Sequence, residues 1–569
     1  MEELIKEFLN AISTKEKSAV KESKLICFCE ENVTTFSFQN INQLLRQEFI
    51  LCLINELSSE EGKAFDGYTA RCLQALRILS RDKSNLDEMV TENSCQTFLQ
   101  LAGLYSGNCP MKLEGVIARS EEVIEALKCV CNLVYQSMQF KDYVVKYNCT
   151  SSLCKRLAWF DQSDLPRDVK FFDLRLLFVV TALEANQRME ALRCNAVELL
   201  TKALNQVIPG HDDRQEFLTK EQEMIETDSD SSLSSRPCLP EISLSKEDIE
   251  IFGEMLKVLF NITINISQEN PENNLKILSA QLIFILCHLL IKCKQLDDEP
   301  KNLQNHIINM LINLPYDSYR FLHWRIDKLV AEELMNAFNS KENTKKYPVI
   351  FECYNVEAIC VLLQILDQRL IENKNLKEYV TPLLSVMTTV SKHNRIIRKY
   401  LRQQVLPSLG HVGKEKPEDI ENIRGRLARL LTSAIPEIKE SVGEFLFVLC
   451  KENVARLTKY VGYGNAAGFL ADHGLMAGND DDNMGNYSND DEDSDTEEYM
   501  KVKDKIDPMT GAQTDVEVDN PLNKMSEEEK EAEAEELAKL LSKLNKNGLV
   551  KSAAIGPDGK PVELNIEED

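Results

Sequence analysis

An apolar residue, a basic residue and, four positions on, an asparagine recur along this chain at a spacing that points to a repeat architecture. The phrase reads Leu127-Lys128…Asn132 and again Leu256-Lys257…Asn261. A basic start without the asparagine appears at Leu76-Arg77…Arg81 and Leu174-Arg175…Val179, and the asparagine without the basic residue at Asn309…Asn313. Copies lie roughly 50 residues apart with one wider gap, the scale of paired- or triple-helix solenoid repeats. Residues four apart share a helical face, so Lys128 and Asn132 project together beside the stripe of Leu127, Val130 and Val134. Stacked helices of this kind present a ladder of amide and cationic side chains. Such a ladder suits a bound peptide better than it suits catalysis.

A chain of 569 residues is too long for one core, yet no break in composition appears before about residue 465. A repeat array removes the difficulty, because each repeat buries its apolar face only against its neighbours. Glycine and proline are sparse through this body and alternating strand-like runs are hard to find, so the expected class is all-α. The formal charge of -26 is unevenly placed. From Asp472 onward there are about 28 acidic and 10 basic residues. That balance argues against general nucleic-acid binding, which needs a basic footprint.

The 17 cysteines show neither disulfide nor zinc spacing and read as small core residues in a reducing compartment. The start, Met1-Glu2-Glu3-Leu4-Ile5-Lys6, is amphipathic and acidic, unlike a signal peptide. The longest apolar run, between Lys276 and Lys292, carries Ser279, Gln281 and His288 and is short for a bilayer span. These features predict a soluble, intracellular protein. The 7 histidines form no metal pattern, and neither a nucleophile elbow nor a kinase signature is present. Gly462-Tyr463-Gly464…Gly468 superficially resembles a phosphate loop, but it lacks the Gly-Lys-Ser/Thr ending and follows a helix. No cofactor, metal or covalent chemistry is expected.

The expected organisation is helical repeats over 1–210, a flexible acidic, serine-rich insertion over 211–246, and further repeats over 247–460. Turn signals such as Asp66-Gly67 and Ser106-Gly107-Asn108 separate the early helices. Then follow a Gly-rich turn and acidic disordered linker over 461–525, an amphipathic docking helix over 526–548, and a disordered end over 549–569. Two basic runs stand out, His393–Arg402 and Arg424–Arg429; in the first, Arg395, Arg398 and Arg402 offer a strip for a partner's carboxylates, the alternative being a solvated helix face. Ser488 and Ser494 each precede an acid by three positions, a pattern that suits an acidophilic kinase. In the last helix Ser526 and Glu529 form a capping box, and Leu537, Leu540, Leu541 and Leu544 a narrow apolar stripe. That stripe reads as a docking element for a partner or for the solenoid itself.

The chain resembles the synembryn family, the proteins named for resistance to inhibitors of cholinesterase. The residues that carry the resemblance are Lys459-Tyr460-Val461-Gly462-Tyr463-Gly464-Asn465-Ala466-Ala467-Gly468, then Gly474-Leu475-Met476-Ala477-Gly478 and the acidic stretch from Tyr487 to Tyr499. Leu76–Asp82, Phe172–Phe178 and Glu444–Glu452 add to it in family order. The departures are the 211–246 insertion, Asn489 where the family has an acid, and the end beyond about residue 545.

The resemblance implies an armadillo/HEAT-like right-handed superhelical solenoid. It also implies a role in chaperoning G-protein α subunits and exchanging their guanine nucleotide, with the concave face gripping the subunit's C-terminal helix. On that reading the groove residues are Arg77, Arg81, Lys128, Asn132, Arg175, Lys257, Asn261, Asn313, Arg395, Arg398 and Arg402. The tail leucines brace the switch region, and the protein is a cytoplasmic monomer with a fraction drawn to the cell cortex by its partner. The rival reading is an armadillo adaptor that holds linear peptides without exchange activity. The asparagines, for their part, can equally serve to satisfy backbone groups between repeats.

Overall fold

The computed structural model describes residues 1–38, 40–59, 66–84, 86–105, 111–208, 240–264, 266, 273–293, 302–339, 347–406, 415–476, 505–513, 526–546, 553–555 and 561–563. Two compact units divide the chain, Met1–Ser318 and Tyr319–Asp569, so the insertion lies within the first.

In the first unit the helices are α1 (Glu2–Ser13), α2 (Ser18–Glu31), α3 (Gln43–Ser58), α4 (Asp66–Leu79), α5 (Glu92–Leu101), α6 (Leu113–Ala118), α7 (Ser120–Gln136) and α8 (Met138–Lys146). They continue as α9 (Cys149–Leu157), α10 (Arg167–Leu183), α11 (Ala185–Arg193), α12 (Ala196–Val207), α13 (Lys246–Thr263), α14 (Asn273–Lys292) and α15 (Asn302–Ile312). The second unit holds α16 (Lys328–Asn339), α17 (Glu357–Glu372), α18 (Leu376–Tyr379), α19 (Thr381–His393), α20 (Arg395–Val405) and α21 (Ile423–Leu430). It ends with α22 (Pro436–Leu449), α23 (Val454–Val461), α24 (Tyr463–Asp472) and α25 (Glu527–Lys546).

The sequence encodes each repeat by its joints. A long helix runs into a single extended residue, Ser137 after α7, Glu184 after α10 and Asn394 after α19, with φ near the extended range at -132°, -130° and -132°. Ser137 and Asn394 then cap the following short helix by accepting from Phe140 and Ile397 N–H. The next joint is a left-handed asparagine, Asn148 (φ 53°) between α8 and α9 and Asn195 (φ 55°) between α11 and α12, a conformation that asparagine tolerates better than most residues. The long helices α4, α7, α10, α13 and α15 pack successively, each on the next. Leu76, Leu127, Val130, Leu174, Leu177, Leu256, Leu259 and Ile307 seal the joins and are fully buried. The fold is an all-α solenoid.

Several expectations need correction. Asp66-Gly67, read as a turn, instead opens α4. The supposed insertion is already packed before residue 246: Ile242 is buried and bridges Cys293, and Ser245 forms a capping box with Asp248 at the start of α13. The Gly-rich turn is interrupted by α24, which carries Gly464 and Gly468 inside a helix and leaves Gly462 before it and Gly474 after it at positive φ. Within the expected linker, residues 505–513 are folded. The end is not wholly irregular, since Ala553–Ile555 (β4) pairs antiparallel with Pro561–Glu563 (β5). A further small antiparallel sheet joins Trp324–Arg325 (β1), Tyr354–Asn355 (β3) and Ile350–Phe351 (β2). Ser106-Gly107-Asn108 lies outside the described residues.

Helix α14 is the one described helix long and apolar enough to cross a membrane by length and composition. It is 61% buried within the protein over Leu275–Lys292, and its His288 ring bonds Pro240 O at 2.8 Å, so it reads as a core helix. The described cysteines are free thiols and mostly buried, and burial pushes Cys29 and Cys95 up to about 12.

Candidate functional site

The recurring phrase folds into rungs along the first unit. Arg77 at the end of α4 and Lys128 on α7 both reach one carboxylate, Arg77 Nε to Glu125 Oε2 at 2.6 Å and Lys128 Nζ to Glu125 Oε1 at 2.8 Å. The same set recurs on the next pair of long helices. Arg175 Nη1 of α10 lies 3.0 Å and Lys257 Nζ of α13 lies 2.5 Å from Glu254 Oε1. Each lysine also sits 5.1 Å from the centre of an aromatic ring, Lys128 over Phe172 and Lys257 over Phe178. Ring faces are electronegative, so each cation is held from two sides. The carboxylates are nearly covered, Glu254 to 5% side-chain exposure, while Arg175 stays 44% exposed. Each rung therefore carries two cations and one acid; the second presents its arginine edge to solvent, whereas in the first Arg77 and Lys128 are both largely covered.

The asparagines do a different job from the one the ladder suggested. Asn132 Nδ2 donates to Ser80 Oγ at 3.0 Å; Asn261 Nδ2 donates to Phe178 O at 3.1 Å and Thr181 Oγ1 at 3.2 Å. Asn313 Nδ2 donates to Phe260 O at 2.8 Å and Thr263 Oγ1 at 3.3 Å. In every case the amide bonds groups near the C-terminal end of the preceding long helix, a hydroxyl for Asn132 and a carbonyl with its neighbouring threonine hydroxyl for Asn261 and Asn313. The amides tie repeat to repeat. Arg81 also turns back, donating to Val33 O at 2.6 Å with its guanidinium 5.1 Å from the Phe36 ring.

On α15 the rung changes. His306 and Asn309 stand where Glu254 and Lys257 stand on α13, counting back from Asn313 and Asn261. Burial lowers the His306 imidazole to about 4, and the Lys257 ammonium pushes the same way. Beyond the rungs, toward the C-terminal ends of α7, α10 and α13, Tyr135, Leu183 and Ile264 are exposed by 77%, 46% and 49%. Tyr135 and Ile264 follow Lys128 and Lys257 by the same seven positions, about two helical turns. A cationic row thus runs beside an apolar row, an arrangement that fits an amphipathic helix with an acidic side or end.

The basic run at 393–402 does not form the strip expected of it. Arg398 Nη1 donates to Ser391 O at 2.9 Å and caps α19, as Arg188 Nε caps α10 by donating to Thr181 O at 2.8 Å. Arg402 is buried, and Arg395 is exposed. In the second run Arg424 is buried, Arg426 pairs with Asp367, and Arg429 donates to Glu418 O at 2.8 Å. On the tail helix Leu537 and Leu540 are exposed, whereas the side chains of Leu541 and Leu544, and all of Ser488 and Ser494, lie outside the described residues.

Glu125 and Glu254 escaped the sequence reading. Their signal was present as Glu-x-x-Lys-x-x-x-Asn, repeated at 125–132 and 254–261. Among the described residues one group could hold a metal, Glu440, Glu444 and His473. There the His473 Nε2 lies 3.1 Å from Glu440, and Nδ1 lies 3.1 Å from Phe469 O, so polar contacts within the protein already engage both ring nitrogens and link α22 to α24.

Comparison with known proteins converges on one family. The sequence profile of the Ric8 family, described as guanine nucleotide exchange factor synembryn, matches residues 72–560. A Xenopus tropicalis protein named Chaperone Ric-8A is 36% identical over 491 residues, covering 86% of this chain and 83% of the relative. The Bos taurus Chaperone Ric-8A is 34% identical over 558 residues, covering 98% and 95%. A Drosophila pseudoobscura pseudoobscura protein named Chaperone Ric-8 is 32% identical over 530 residues, covering 87% and 85%. Among solved structures, an engineered protein aligns over 89% of this chain and 99% of its own at 13% identity with TM-score 0.44. A designed armadillo repeat protein aligns over 60% and 99% at 13% identity with TM-score 0.32.

Proposed function

The chain belongs to the Ric8 family of guanine nucleotide exchange factors, and from that membership we propose that it binds nucleotide-free or GDP-bound α subunits of heterotrimeric G proteins, chaperones their folding and promotes GDP release. The observation that carries the reading is the pair of Arg–Glu–Lys rungs on α4/α7 and α10/α13, with the exposed apolar row of Tyr135, Leu183 and Ile264 beside them. A helix with one apolar side and a terminal carboxylate matches both rows. The C-terminal helix of an α subunit is the proposed occupant.

The exchange step needs no nucleotide contact from this chain. Gripping the C-terminal helix draws it away from the GTPase core, the loop before it loses its hold on the guanine base, and GDP leaves. Work of this kind requires tighter binding to the nucleotide-free state than to the loaded one. GTP then ejects the factor through the same coupling run in reverse. The asparagine ties supply a stiff frame against which the client is distorted. In this reading α25 braces the mobile switch region through Leu537 and Leu540, and phosphates at Ser488 and Ser494 strengthen tail docking onto basic repeats. The protein works in the cytoplasm, with a fraction held at the cortex by its partner.

The test is release of labelled GDP from a purified α subunit with and without the full chain, alongside recovery of soluble α subunit from a cell-free translation lacking the endogenous factor. Acceleration of release supports exchange. Improved recovery without acceleration leaves a chaperone, and neither effect leaves the peptide-binding adaptor.

A further inference from the structure

A cavity of about 310 Å³ lies where the N-terminal halves of α10 and α13 meet α12 and the segment that joins α9 to α10. None of the rung residues lines it. It stands toward the opposite ends of α10 and α13 from the exposed Leu183 and Ile264; Ile251 of its lining and Ile264 are about 20 Å apart along α13. Phe160, Leu165, Ala203, Phe252 and Met255 supply its apolar walls, and all five are buried. A space of this size among buried apolar side chains is large beside the voids that close packing leaves. At about 30 Å³ for each water-sized group, it has room for about ten non-hydrogen atoms.

The charged lining is two cations and one acid. Lys170 Nζ donates to Phe160 O at 2.8 Å and to Gln162 O at 3.0 Å, which leaves one of its N–H groups over. The ammonium forms no ion pair among the described residues, and burial lowers its pKa against the opposing pull of Asp161. Arg167 Nη2 donates to Glu247 O at 3.0 Å and to Glu250 Oε2 at 2.8 Å, while its buried Nε has no hydrogen-bond partner among the described residues. The acid, Asp248, is committed to the start of α13, where its carboxylate accepts from the Ser245 hydroxyl at 2.7 Å and from Ser245 N–H at 3.2 Å. The cavity thus sets a half-buried ammonium with no carboxylate of its own against apolar walls. Burying a cation unpaired is costly, and a carboxylate laid beside it recovers part of that cost.

We infer that this cavity binds a small amphiphilic carboxylate, its alkyl chain of about eight carbons against Phe160, Leu165, Phe252 and Met255 and its carboxylate on Lys170 Nζ. Volume sets the length, since a chain of that size with its two oxygens has about ten non-hydrogen atoms. Charge sets the head group. An alcohol of equal length gains the same apolar cover without the charge-assisted bond, and an amine meets like charge at Lys170 and Arg167. Binding here is independent of the client proposed for the rungs, so neither reading stands or falls with the other.

The test is titration calorimetry of the full chain with sodium octanoate, octanol and octylammonium chloride, all below their aggregation range. Octanoate binds at one molecule per chain, about tenfold tighter than octanol, the worth of one charge-assisted bond; octylammonium is weakest. Amide hydrogen exchange places it, with octanoate slowing exchange over 160–170 and in the first turns of α13. Lys170→Met keeps an apolar stem, removes the preference for octanoate and leaves octanol affinity unchanged. Ala203→Leu fills the cavity and abolishes binding of both, and Ile251→Trp does the same from a half-buried position on another helix. A wild-type melting transition checks that each variant is folded. No saturable octanoate binding, binding that survives both filling variants, or an undiminished octanoate preference in Lys170→Met each overturns the inference.

Discussion

Arg175 is the position at which charge and packing can be pulled apart. Its guanidinium lies 3.0 Å from Glu254 yet its side chain stays 44% exposed, so it serves the rung and faces the proposed occupant together. Arg175→Glu takes the rung from a net charge of about +1 to about −1. One unit charge at ~5 Å from a partner carboxylate, with an effective dielectric of about 40–80 at a half-exposed site, is worth about 1–1.5 kcal/mol. Two units give about 2–3 kcal/mol, or roughly 30- to 150-fold in Kd. The assay is titration calorimetry with a nucleotide-free α subunit at low and moderate salt, where screening shrinks the difference. The decisive variant is the swap Arg175→Glu/Glu254→Arg. It restores the ion pair and the net charge of the rung but leaves an acid at the exposed position. Melting recovers in the swap while binding stays weak. A swap that binds like wild type would refute the argument, because intact packing alone would then account for affinity.

Other outcomes follow from the same contacts. Asn261→Ala and Asn313→Ala leave Phe178 O and Phe260 O without their amide donor, and each costs about 1–2 kcal/mol in denaturant unfolding with client affinity unchanged. Arg156 and Asp173 are fully buried with Nη2 and Oδ1 2.9 Å apart, though out of line for a hydrogen bond. Arg156→Met strands the carboxylate and costs about 3–5 kcal/mol, whereas Arg156→Met/Asp173→Leu recovers most of it in the same unfolding measurement. His306 is neutral when folded because burial holds it near 4 against the usual 6.5, so its contribution is complete above about pH 6.5 and is lost as pH falls through about 4. Allowing for partial exposure, that is about 2–3 kcal/mol, and His306→Gln flattens this part of the stability–pH curve. Arg424 is buried, its Nε, Nη1 and Nη2 have no hydrogen-bond partner among the described residues, and burial lowers its guanidinium. Arg424→Met raises the melting temperature by a few degrees, about 1–2 kcal/mol of relief; a fall would show that the guanidinium is satisfied in solution.

What could be read from the sequence followed how far each interaction reaches along the chain. Helix periodicity and the Lys128/Asn132 and Lys257/Asn261 phrases are local, and the long helices of the solenoid are where that reading put them. The direction of the asparagines was not legible. The same face of a helix can serve a groove or a neighbour, and the deciding acceptors, Phe178 O and Phe260 O, belong to other repeats. Glu254 lay only three residues before Lys257, but its role depends on Arg175 arriving from the preceding long helix. In the basic run, capping by Arg398 and burial of Arg402 depend likewise on the helix that precedes them. The Gly462–Gly468 stretch misled for a physical reason. Glycine costs helix stability, so three in seven residues predict a turn, yet Pro508 O and Met509 O arrive to satisfy the first amides and the helix forms.

The acid at the centre of each rung bears on selectivity. A groove of bare arginines and lysines would attract any polyanion, and this chain carries one of its own, the run from Asp480 to Glu498 that contains no basic residue. Glu125 and Glu254 each cancel one of two cations, so a rung offers about one unit of charge where it could offer two. At about 1 kcal/mol per exposed charge pair, two such cancellations weaken a purely ionic occupant by roughly 30-fold. An occupant with an apolar side loses as much ionic attraction but regains it on Tyr135, Leu183 and Ile264, at about 25 cal/mol per Å² covered. Some 100 Å² of apolar cover is enough to offset the difference. A rung with one net charge in place of two therefore moves discrimination from charge to amphipathic shape, which favours an occupant with an apolar side over a purely acidic segment.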